Sequence, residues 1–458
     1  MEETTVHLHQ LLENNGISAV RAELRGKSVV DIAQALEELE GEELLLVFRI
    51  LPKDISADVF SYLEPESQGR VVERITDREL SALVNDLFID DAVDFLEEVP
   101  ANVVTRVLAQ ASPDTRSLLN AFLSYPDSSA GSIMTAEFMA LHDDITAGQA
   151  IDQIRRTGVD KETLDTCYCI DPQRHLLGVV TLRRLLFCDA ETPVRSIMLQ
   201  NDGLIYARTL DDQEQVAQLA RRYDLLSIPV VDNEQRLVGI VTIDDIIDVM
   251  DEEATEDFEL MAKVLPSEKE YLKTGVLESS KNRIVWLLVL MISATFTGLI
   301  IENFEHKLAL ITGLAASIPM LMDTGGNAGS QSSTLIIRGL ALGEIRSKDF
   351  AWVLWKEVRI ALLCGLALAV VNFGRMAVLR FVTHSPISTT VFFVTCLAMI
   401  CAVLVSKTIG CGLPILAKAL RLDPALMAGP LITTIVDAIT LMIYFGFANL
   451  FLKFPAGV

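Results

Sequence analysis

The chain has 458 residues, which is too long for one ordinary domain, so two or three domains are expected. Residues 284–458 hold 12 Lys and Arg against 8 Asp and Glu, a balance of +4, and since the whole chain carries −24, the preceding residues carry −28. Such an acidic region argues against a nucleic-acid partner, because phosphates are bound by Lys and Arg, and is typical either of a protein that collects cations or of an ordinary soluble surface.

The first predicted domain, 1–128, is an acidic helical domain that stays in the cytoplasm. Its opening stretch MEETTVHLHQ is polar and acidic, unlike a signal peptide. Short apolar-periodic runs follow, separated by Pro52, Pro65, Pro100 and Pro113. The units VFRILPKDISADVFSYLEP and DFLEEVPANVVTRVLAQ look like imperfect repeats. An α-helical superhelix is therefore predicted.

The second predicted domain, 129–252, contains two copies of one α/β unit. The copies open with SIMTAEFMALHDD and SIMLQNDGLIYA, and they close with LLGVVTLRRLL and LVGIVTIDDII. Each copy reads as a helix, two strands joined by a turn, and a closing helix. This duplication resembles a tandem cystathionine-β-synthase-type (CBS) pair, which implies a regulatory module rather than a catalytic one.

A charged connector, 253–283, is predicted to be helical and to lead into an all-α transmembrane domain, 284–458. Five apolar segments there are long enough to span about 30 Å of hydrocarbon. They begin near Ile284, Leu308, Trp352, Ile387 and Ala425. Basic loops predict, by the positive-inside rule, a plasma-membrane protein with a cytoplasmic N-terminus and an outer C-terminus.

The stretch PMLMDTGGNAGSQSSTLIIRGL, 319–340, places an Asp, glycines, an Asn and a Gln inside an apolar region. Unpaired backbone is costly in hydrocarbon, so a broken, glycine-rich backbone survives only where protein buries it or water reaches it. The stretch predicts a pore or a site. Asp323 is interpreted equally as a second pore acid or as the cap of a half-helix.

The last span, MAGPLITTIVDAITLMIYF, carries Asp437 in otherwise apolar sequence. An ionisable residue at this depth is a functional hypothesis by default, although a hydrogen bond between helices is the simpler alternative. Thr433 and Gly429 precede Asp437 at four-residue steps, so the three share one helical face. Pro430 frees a backbone carbonyl that could turn toward a pore.

The ion that such a site favours is Mg²⁺. Magnesium keeps several of its waters and binds through one or two carboxylates, whereas a Ca²⁺ cage needs six to eight oxygens. A two-fold axis would bring two copies of Asp437 together and double the charge.

With these motifs the chain resembles the MgtE family of bacterial magnesium transporters over nearly its whole length. The most specific motifs are PMLMDTGGNAGSQSSTLIIRGLALGEI, LDPALMAGP and TTIVDAITLMIYF, and the connector matches the family's plug helix. The resemblance implies a homodimer in the lipid membrane, with Asp437 binding hydrated Mg²⁺ in a central pore. It also implies regulatory Mg²⁺ sites in the cytoplasmic domains that close the pore when internal Mg²⁺ is high. The matching positions are acidic: Asp58, Asp90, Asp94, Asp212, Glu214, Asp224, Asp245, Asp248, Glu253, Glu256, Asp257 and Asp423.

Two departures from the family pattern concern ligands. Gly429 stands where some relatives have Asn, so only its backbone could bind an ion. CBS modules that hold adenosine nucleotides often use a Thr/Ser-x-x-Asp tail, and the resemblance implies ATP as a ligand in parts of the family. The second repeat keeps this tail as Thr242 and Asp245, but the first has Thr181 and Arg184, which weakens the prediction of ATP binding.

Other functions remain open at this point. The spans could merely anchor a Mg²⁺ sensor, or the CBS pair could regulate a transporter of Co²⁺, Mn²⁺ or Ni²⁺. Anion transport is disfavoured by Asp437. An enzyme is not predicted, because no nucleotide loop, zinc signature or nucleophile elbow occurs in a fitting context.

Overall fold

The structure is a computed structural model that describes residues 17–39, 41–200, 203–267, 271–272, 274–384, 386–427 and 430–452. The chain divides into two compact units, residues 1–250 and 251–458. The first unit contains the acidic helical domain and both α/β repeats, and the second contains the apolar helices.

Short helices make up the acidic domain. Ser28 and Thr76 cap two of them, and Thr76 forms a capping box with Glu79. Pro65 and Pro113 occupy the first helical position, where a missing N–H is harmless, so these prolines begin helices. The helices are α1 (Ile17–Leu24), α2 (Val29–Glu37), α3 (Glu42–Ile50), α4 (Lys53–Ser61), α5 (Pro65–Arg74), α6 (Asp77–Asp86), α7 (Ile89–Glu98), α8 (Ala101–Gln110) and α9 (Pro113–Phe122).

Each α/β repeat forms its own sheet. The first sheet has the order β1-β2-β3-β4 and the second β5-β6-β7, with a parallel first pair and antiparallel pairs after it. Both hairpins have a bulge at the equivalent place, Cys169/Ile170 and Val230/Val231, which confirms the duplication. The elements are β1 (Ala140–His142), α10 (Ala147–Thr157), β2 (Thr166–Ile170), β3 (Leu176–Thr181), α11 (Leu182–Leu186), α12 (Val194–Ile197), β4 (Leu199–Gln200), β5 (Ala207–Arg208), α13 (Gln213–Tyr223), β6 (Ser227–Val231), β7 (Leu237–Thr242) and α14 (Ile243–Met261).

One hydrophobic core runs from the helical domain into the second repeat. The same cluster of buried residues includes Phe60 and Leu119 of the helices and Val216 and Ile228 of the repeat. The two repeats are also joined by a hydrogen bond of 2.6 Å between the Tyr168 hydroxyl and Ser227 Oγ. The first unit is therefore held together across its sequence domains.

The connector differs from the single helix predicted over 253–283. Its first residues belong to α14, which ends at Met261, and its last belong to the next helix, which begins at Val276. Within the second unit, Leu260 packs against Ile337 and Ala425.

In the second unit, four helices among the described residues are long and apolar enough to cross a membrane. They are α15 (Val276–Asn303), α18 (Phe350–Thr383), α19 (Thr389–Ala419) and α20 (Pro430–Phe451), and between the first two lie α16 (Glu305–Leu310) and α17 (Ile318–Ala341). Helix α17 has 24 residues, which is long enough to span a membrane, but its sequence is more polar than that of the four helices. The predicted total of five spans stays a prediction.

The glycine-rich stretch is continuous helix, so the prediction of a broken backbone was wrong. Pro319 lies in the first turn of α17, where it interrupts no internal hydrogen bond. The glycines allow neighbouring helices to come close: a Cβ on Gly325 would meet Ser406 Oγ at 3.3 Å and Thr440 Oγ1 at 3.1 Å. Helix packing in membranes favours such small residues. Pro430 likewise begins α20, so it does not break a span.

Candidate functional site

Asp437 lies on α20 against the glycine-rich surface of α17. A Cβ built on Gly326 would lie 3.3 Å from Thr433 Cγ2 and 4.0 Å from Asp437 Oδ1. The predicted shared face of Thr433 and Asp437 therefore packs closely against Gly326, a residue without a side chain. Gly429, the third member predicted for this face, lies outside the described residues.

A row of exposed polar side chains follows α17 at steps of four, four and three residues. We call Asp323, Asn327, Gln331 and Thr334 the polar stripe. Asn327 Nδ2 donates a hydrogen bond of 3.1 Å to Asp323 Oδ1. Asp323 lies inside the helix, so its interpretation as a helix cap was wrong, and its charge repels that of Asp437. Four polar side chains on one face of an otherwise apolar helix favour contact with protein or water over contact with lipid.

Sequence reasoning missed a buried charged group on the other side of α17. Ser332 Oγ donates to Glu357 Oε2 at 2.6 Å and accepts from Lys407 Nζ at 3.1 Å. The signal was readable, because a Lys inside an apolar segment is as unusual as an Asp.

In the first unit, carboxylates from α7, the loop after α10 and the start of α14 form an acidic cluster of Asp90, Asp91, Glu162 and Asp245. Burial, followed by the charges of Asp245 and Asp58, raises the pKa of Asp91 to about 7. Burial, followed by the charges of Asp244 and Asp91, raises the pKa of Glu162 to about 7.

The other two members of the cluster, Asp90 and Asp245, also have raised pKa values. Burial raises the pKa of Asp245 to about 6. The pKa of Asp90 is raised well above its usual range, first by burial and then by the charge of Asp91. Asp90 Oδ1 and Glu162 Oε2 are buried without a hydrogen-bond partner among the described residues. Carboxylates that are buried together and only partly satisfied are a chemically suitable environment for a cation.

Only some of the predicted regulatory residues meet at this cluster. Asp90 and Asp245 belong to it, while Asp58 and Asp248 act on its members electrostatically. Asp94, predicted to act together with Asp90, is exposed whereas Asp90 is buried. Asp91 and Glu162 were not predicted, and their only sequence signal was acidity.

The remaining predicted ligands lie elsewhere. Asp212 caps the start of α13 and accepts from the Glu214 backbone N–H, while Asp224 is the left-handed residue that ends the same helix. An eleven-residue helix is about 16 Å long, so Asp212 and Asp224 do not form one site within this chain. Glu253, Glu256 and Asp257 lie on α14, and Asp423 accepts from the Ala425 N–H. Within the described ranges, no three His, Cys, Asp or Glu side chains are placed to hold one metal ion.

The predicted nucleotide tail differs between the repeats as the sequence indicates. Asp245 accepts hydrogen bonds from the hydroxyl and the N–H of Thr242. In the first repeat, Thr181 Oγ1 accepts instead from the Arg184 N–H, and no carboxylate stands at that position.

Family models match three parts of the chain. The model described as a divalent cation transporter matches residues 318–447, and the model described as the MgtE intracellular N domain matches residues 27–128. The CBS domain model matches residues 130–191 and 194–252. The matches follow the predicted order of domains.

Curated relatives are similar over nearly the whole length. The magnesium transporter MgtE of Thermus thermophilus is 35% identical over 456 residues, 99% of each chain. That of Bacillus subtilis is 31% identical over 448 residues, 94% of this chain and 96% of the relative.

Solved structures of cytosolic or soluble parts of magnesium transporters match about half of the chain. The cytosolic domain of the Mg²⁺ channel MgtE in complex with ATP is 36% identical, with a TM-score of 0.51 over 54% of this chain and 99% of that one. The soluble part of a magnesium transporter is 30% identical, with a TM-score of 0.52 over 56% and 99%.

Proposed function

Because the chain belongs to the MgtE family of divalent cation transporters, we propose that it carries Mg²⁺ across the plasma membrane as a homodimer. The observation that supports this most is the position of Asp437 on α20 beside Gly326 of α17, the helix that carries the polar stripe. A hydrated Mg²⁺ needs one or two carboxylates and room for its waters. Asp437 supplies one such carboxylate at this place, and the charge of Asp323 in the polar stripe acts on it.

The proposed pathway uses Asp437, Thr433 and Gly429 on one side and the polar stripe on the other. In a dimer with a two-fold axis, two copies of Asp437 would double the attraction for a divalent cation. The stripe would offer oxygen atoms to the water shell of the ion, so the ion would not need to lose its waters.

Regulation by internal Mg²⁺ is the second part of the proposal. The acidic cluster is compact only at the expense of repulsion between its carboxylates, and a bound Mg²⁺ would offset that repulsion. Asp90 Oδ1 is buried and has no hydrogen-bond partner within the described part of the chain, which supports a cation there. The other predicted ligands, Asp58, Asp94, Asp212, Glu214, Asp224, Asp248, Glu253, Glu256, Asp257 and Asp423, remain part of the proposal.

Helix α14 carries several of the predicted regulatory ligands. Asp245 lies in its first turn, and Leu260 near its end packs against Ile337 of α17.

We propose domain boundaries at 1–128, 129–252, 253–283 and 284–458, with the N-terminus in the cytoplasm and the C-terminus outside. ATP is a second ligand candidate, supported by the related cytosolic structure solved with ATP and by Thr242 and Asp245. Its binding would be weakened by Arg184 in the first repeat.

The test is Mg²⁺ uptake into proteoliposomes that contain the purified full-length chain and an internal Mg²⁺-sensitive dye. We expect uptake that slows when Mg²⁺ is added to the cytoplasmic face. Co²⁺, Mn²⁺ and Ni²⁺ are offered separately, and faster uptake of one of them would contradict the assignment to magnesium. A protein that binds Mg²⁺ without any flux would be an anchored sensor.

A further inference from the structure

Glu357 on α18, Ser332 on α17 and Lys407 on α19 form a buried charged network inside the second unit. The Lys407 Nζ to Glu357 Oε2 distance is 3.9 Å. Glu357 and Lys407 are each 6% exposed, and Ser332 is 0% exposed. Ionised groups are rare at this depth, so a network that keeps them there has a specific role.

The hydroxyl of Ser332 uses both of its capacities. It donates to the carboxylate of Glu357 at 2.6 Å and accepts from the ammonium of Lys407 at 3.1 Å. Hydrogen bonds to charged groups are the strong ones, and the two charges cancel. Because successive residues of a helix are about 100° apart, turning α17 by one residue would carry Ser332 away from both partners.

The network and the polar stripe lie on opposite sides of α17. Asn327, Gln331 and Thr334 are exposed, whereas Ala328, Ser332 and Ile336 are buried. Close packing sets the distance between α17 and α19, since a Cβ on Gly410 would collide with the Gly329 carbonyl oxygen. Close packing of glycines fixes a distance but provides no side chain that resists rotation.

We propose that Glu357 and Lys407 are positioning residues for permeation: through Ser332 they fix the rotation of α17, so that the polar stripe faces the ion pathway. This inference rests on the proposed function. The stripe then presents its oxygens to the hydrated ion at one fixed angle, and discrimination between Mg²⁺ and the larger Ca²⁺ depends on that angle.

The experiment measures Mg²⁺ and Ca²⁺ uptake in proteoliposomes for wild type, Ser332→Ala and Ser333→Ala. Ser333 is the matched control, because it is the next residue, is 0% exposed and has no hydrogen-bond partner for its Oγ among the described residues. We expect the ratio of Mg²⁺ to Ca²⁺ uptake to fall at least threefold in Ser332→Ala and to stay at the wild-type value in Ser333→Ala. A ratio does not depend on the amount of folded protein, so a merely structural defect would leave it unchanged.

An unchanged ratio in Ser332→Ala, whatever its rate, would overturn the proposal while the proposed function stands. If that variant fails to accumulate, the double variant Glu357→Gln/Lys407→Met replaces it, since it keeps the side-chain sizes and leaves no charge unpaired. The same threefold fall is then expected, and a wild-type ratio overturns the proposal. Absence of uptake by the wild-type chain would overturn both.

Discussion

Two carboxylates at membrane depth have opposite surroundings. Glu357 has a lysine and a serine hydroxyl within reach, so its charge is already balanced. Asp437 is half-buried, and among the described residues the charge that acts on it is that of another carboxylate, Asp323. A buried charge that lacks compensation is the one that gains most from a mobile cation. Asp437 is therefore the acid expected to bind the transported ion.

Replacing Asp437 tests this directly. Asp437→Asn keeps the size of the side chain and removes its charge, so we expect Mg²⁺ uptake to fall at least tenfold, while Asp437→Glu retains a measurable part of it. The measurement is uptake per amount of reconstituted protein, with gel filtration to check that each variant assembles as wild type does. Wild-type uptake by a well-assembled Asp437→Asn protein would remove this residue from the pathway.

The acidic cluster predicts a pH dependence of stability in the first unit. The pKa of Glu162 is raised to about 7 in the folded state, whereas in an unfolded chain it is about 4.3. The folded state therefore binds more protons between these values, and stability falls as the pH rises through this window and is lowest above 7. We expect Glu162→Gln to raise stability at pH 8 by about 1 kcal/mol, discounted for partial exposure, and to have little effect near pH 4.

The measurement is thermal unfolding of fragment 1–250 in chelator at pH 5 to 8. Glu191→Gln, an exposed glutamate of the same repeat, is the control and should leave the pH dependence unchanged. Equal pH profiles for Glu162→Gln and wild type would refute the argument.

Residues with an unusual type for their segment could be predicted from the sequence, and Asp437 is the example. Asp91 and Glu162 could not be predicted, because their raised pKa values come from burial between elements that are distant in sequence. Lys407 was equally unusual for its segment, but its partners on two other helices became visible only in the structure.

At the scale of elements, α17 shows where composition misleads. Glycine weakens an isolated helix by about 1 kcal/mol relative to alanine, which predicts a break in GGNAG. The neighbours decide otherwise, since Gly325 and Gly329 contact residues of α19 and α20 at distances that a side chain would prevent. The periodic helices and the repeated α/β units were predictable, because their signals are local.

Close packing between α17 and α19 predicts the effect of adding one methyl group. Gly410→Ala would collide with the Gly329 backbone, so we expect destabilisation by about 1–3 kcal/mol. Gly374→Ala is the matched control, because nothing lies within 4 Å of its added Cβ. Both Gly→Ala substitutions raise helix propensity by the same amount. The difference between the melting temperatures of the two variants in detergent therefore measures the effect of the collision alone. Equal melting temperatures would mean that the helices separate easily.

At the scale of the whole molecule, the order of domains was readable from motifs and is confirmed by the family matches. The shared core of the helical domain and the second repeat was not readable, because it joins residues as distant as Phe60 and Ile228. Sequence motifs mark the boundaries of the domains, but the buried core continues across the boundary between the helical domain and the second repeat.

The acidity of the cytoplasmic residues predicts a response to divalent ions. With a charge of −28 before residue 284, these residues repel one another, and a Mg²⁺ ion that bridges carboxylates would favour a compact state. We expect trypsin to cut the connector faster in chelator than in millimolar Mg²⁺. The sites are Lys263 and, outside the described residues, Lys269 and Lys273.

Sodium at matched ionic strength is the control, because it screens charges but cannot bridge two carboxylates. Equal protection by sodium and magnesium would reduce the acidity to an ordinary surface property.

The buried pair of Glu357 and Lys407 also has a consequence for biosynthesis. Each charge alone disfavours the insertion of its helix into the bilayer, because an unpaired ionised side chain inside a span costs free energy. Lys407 is made 50 residues after Glu357, so the ribosome must finish α19 before either charge is neutralised. We therefore expect α18 and α19 to enter the bilayer together, as a hairpin whose charges are paired, and a chain truncated between them to insert less efficiently.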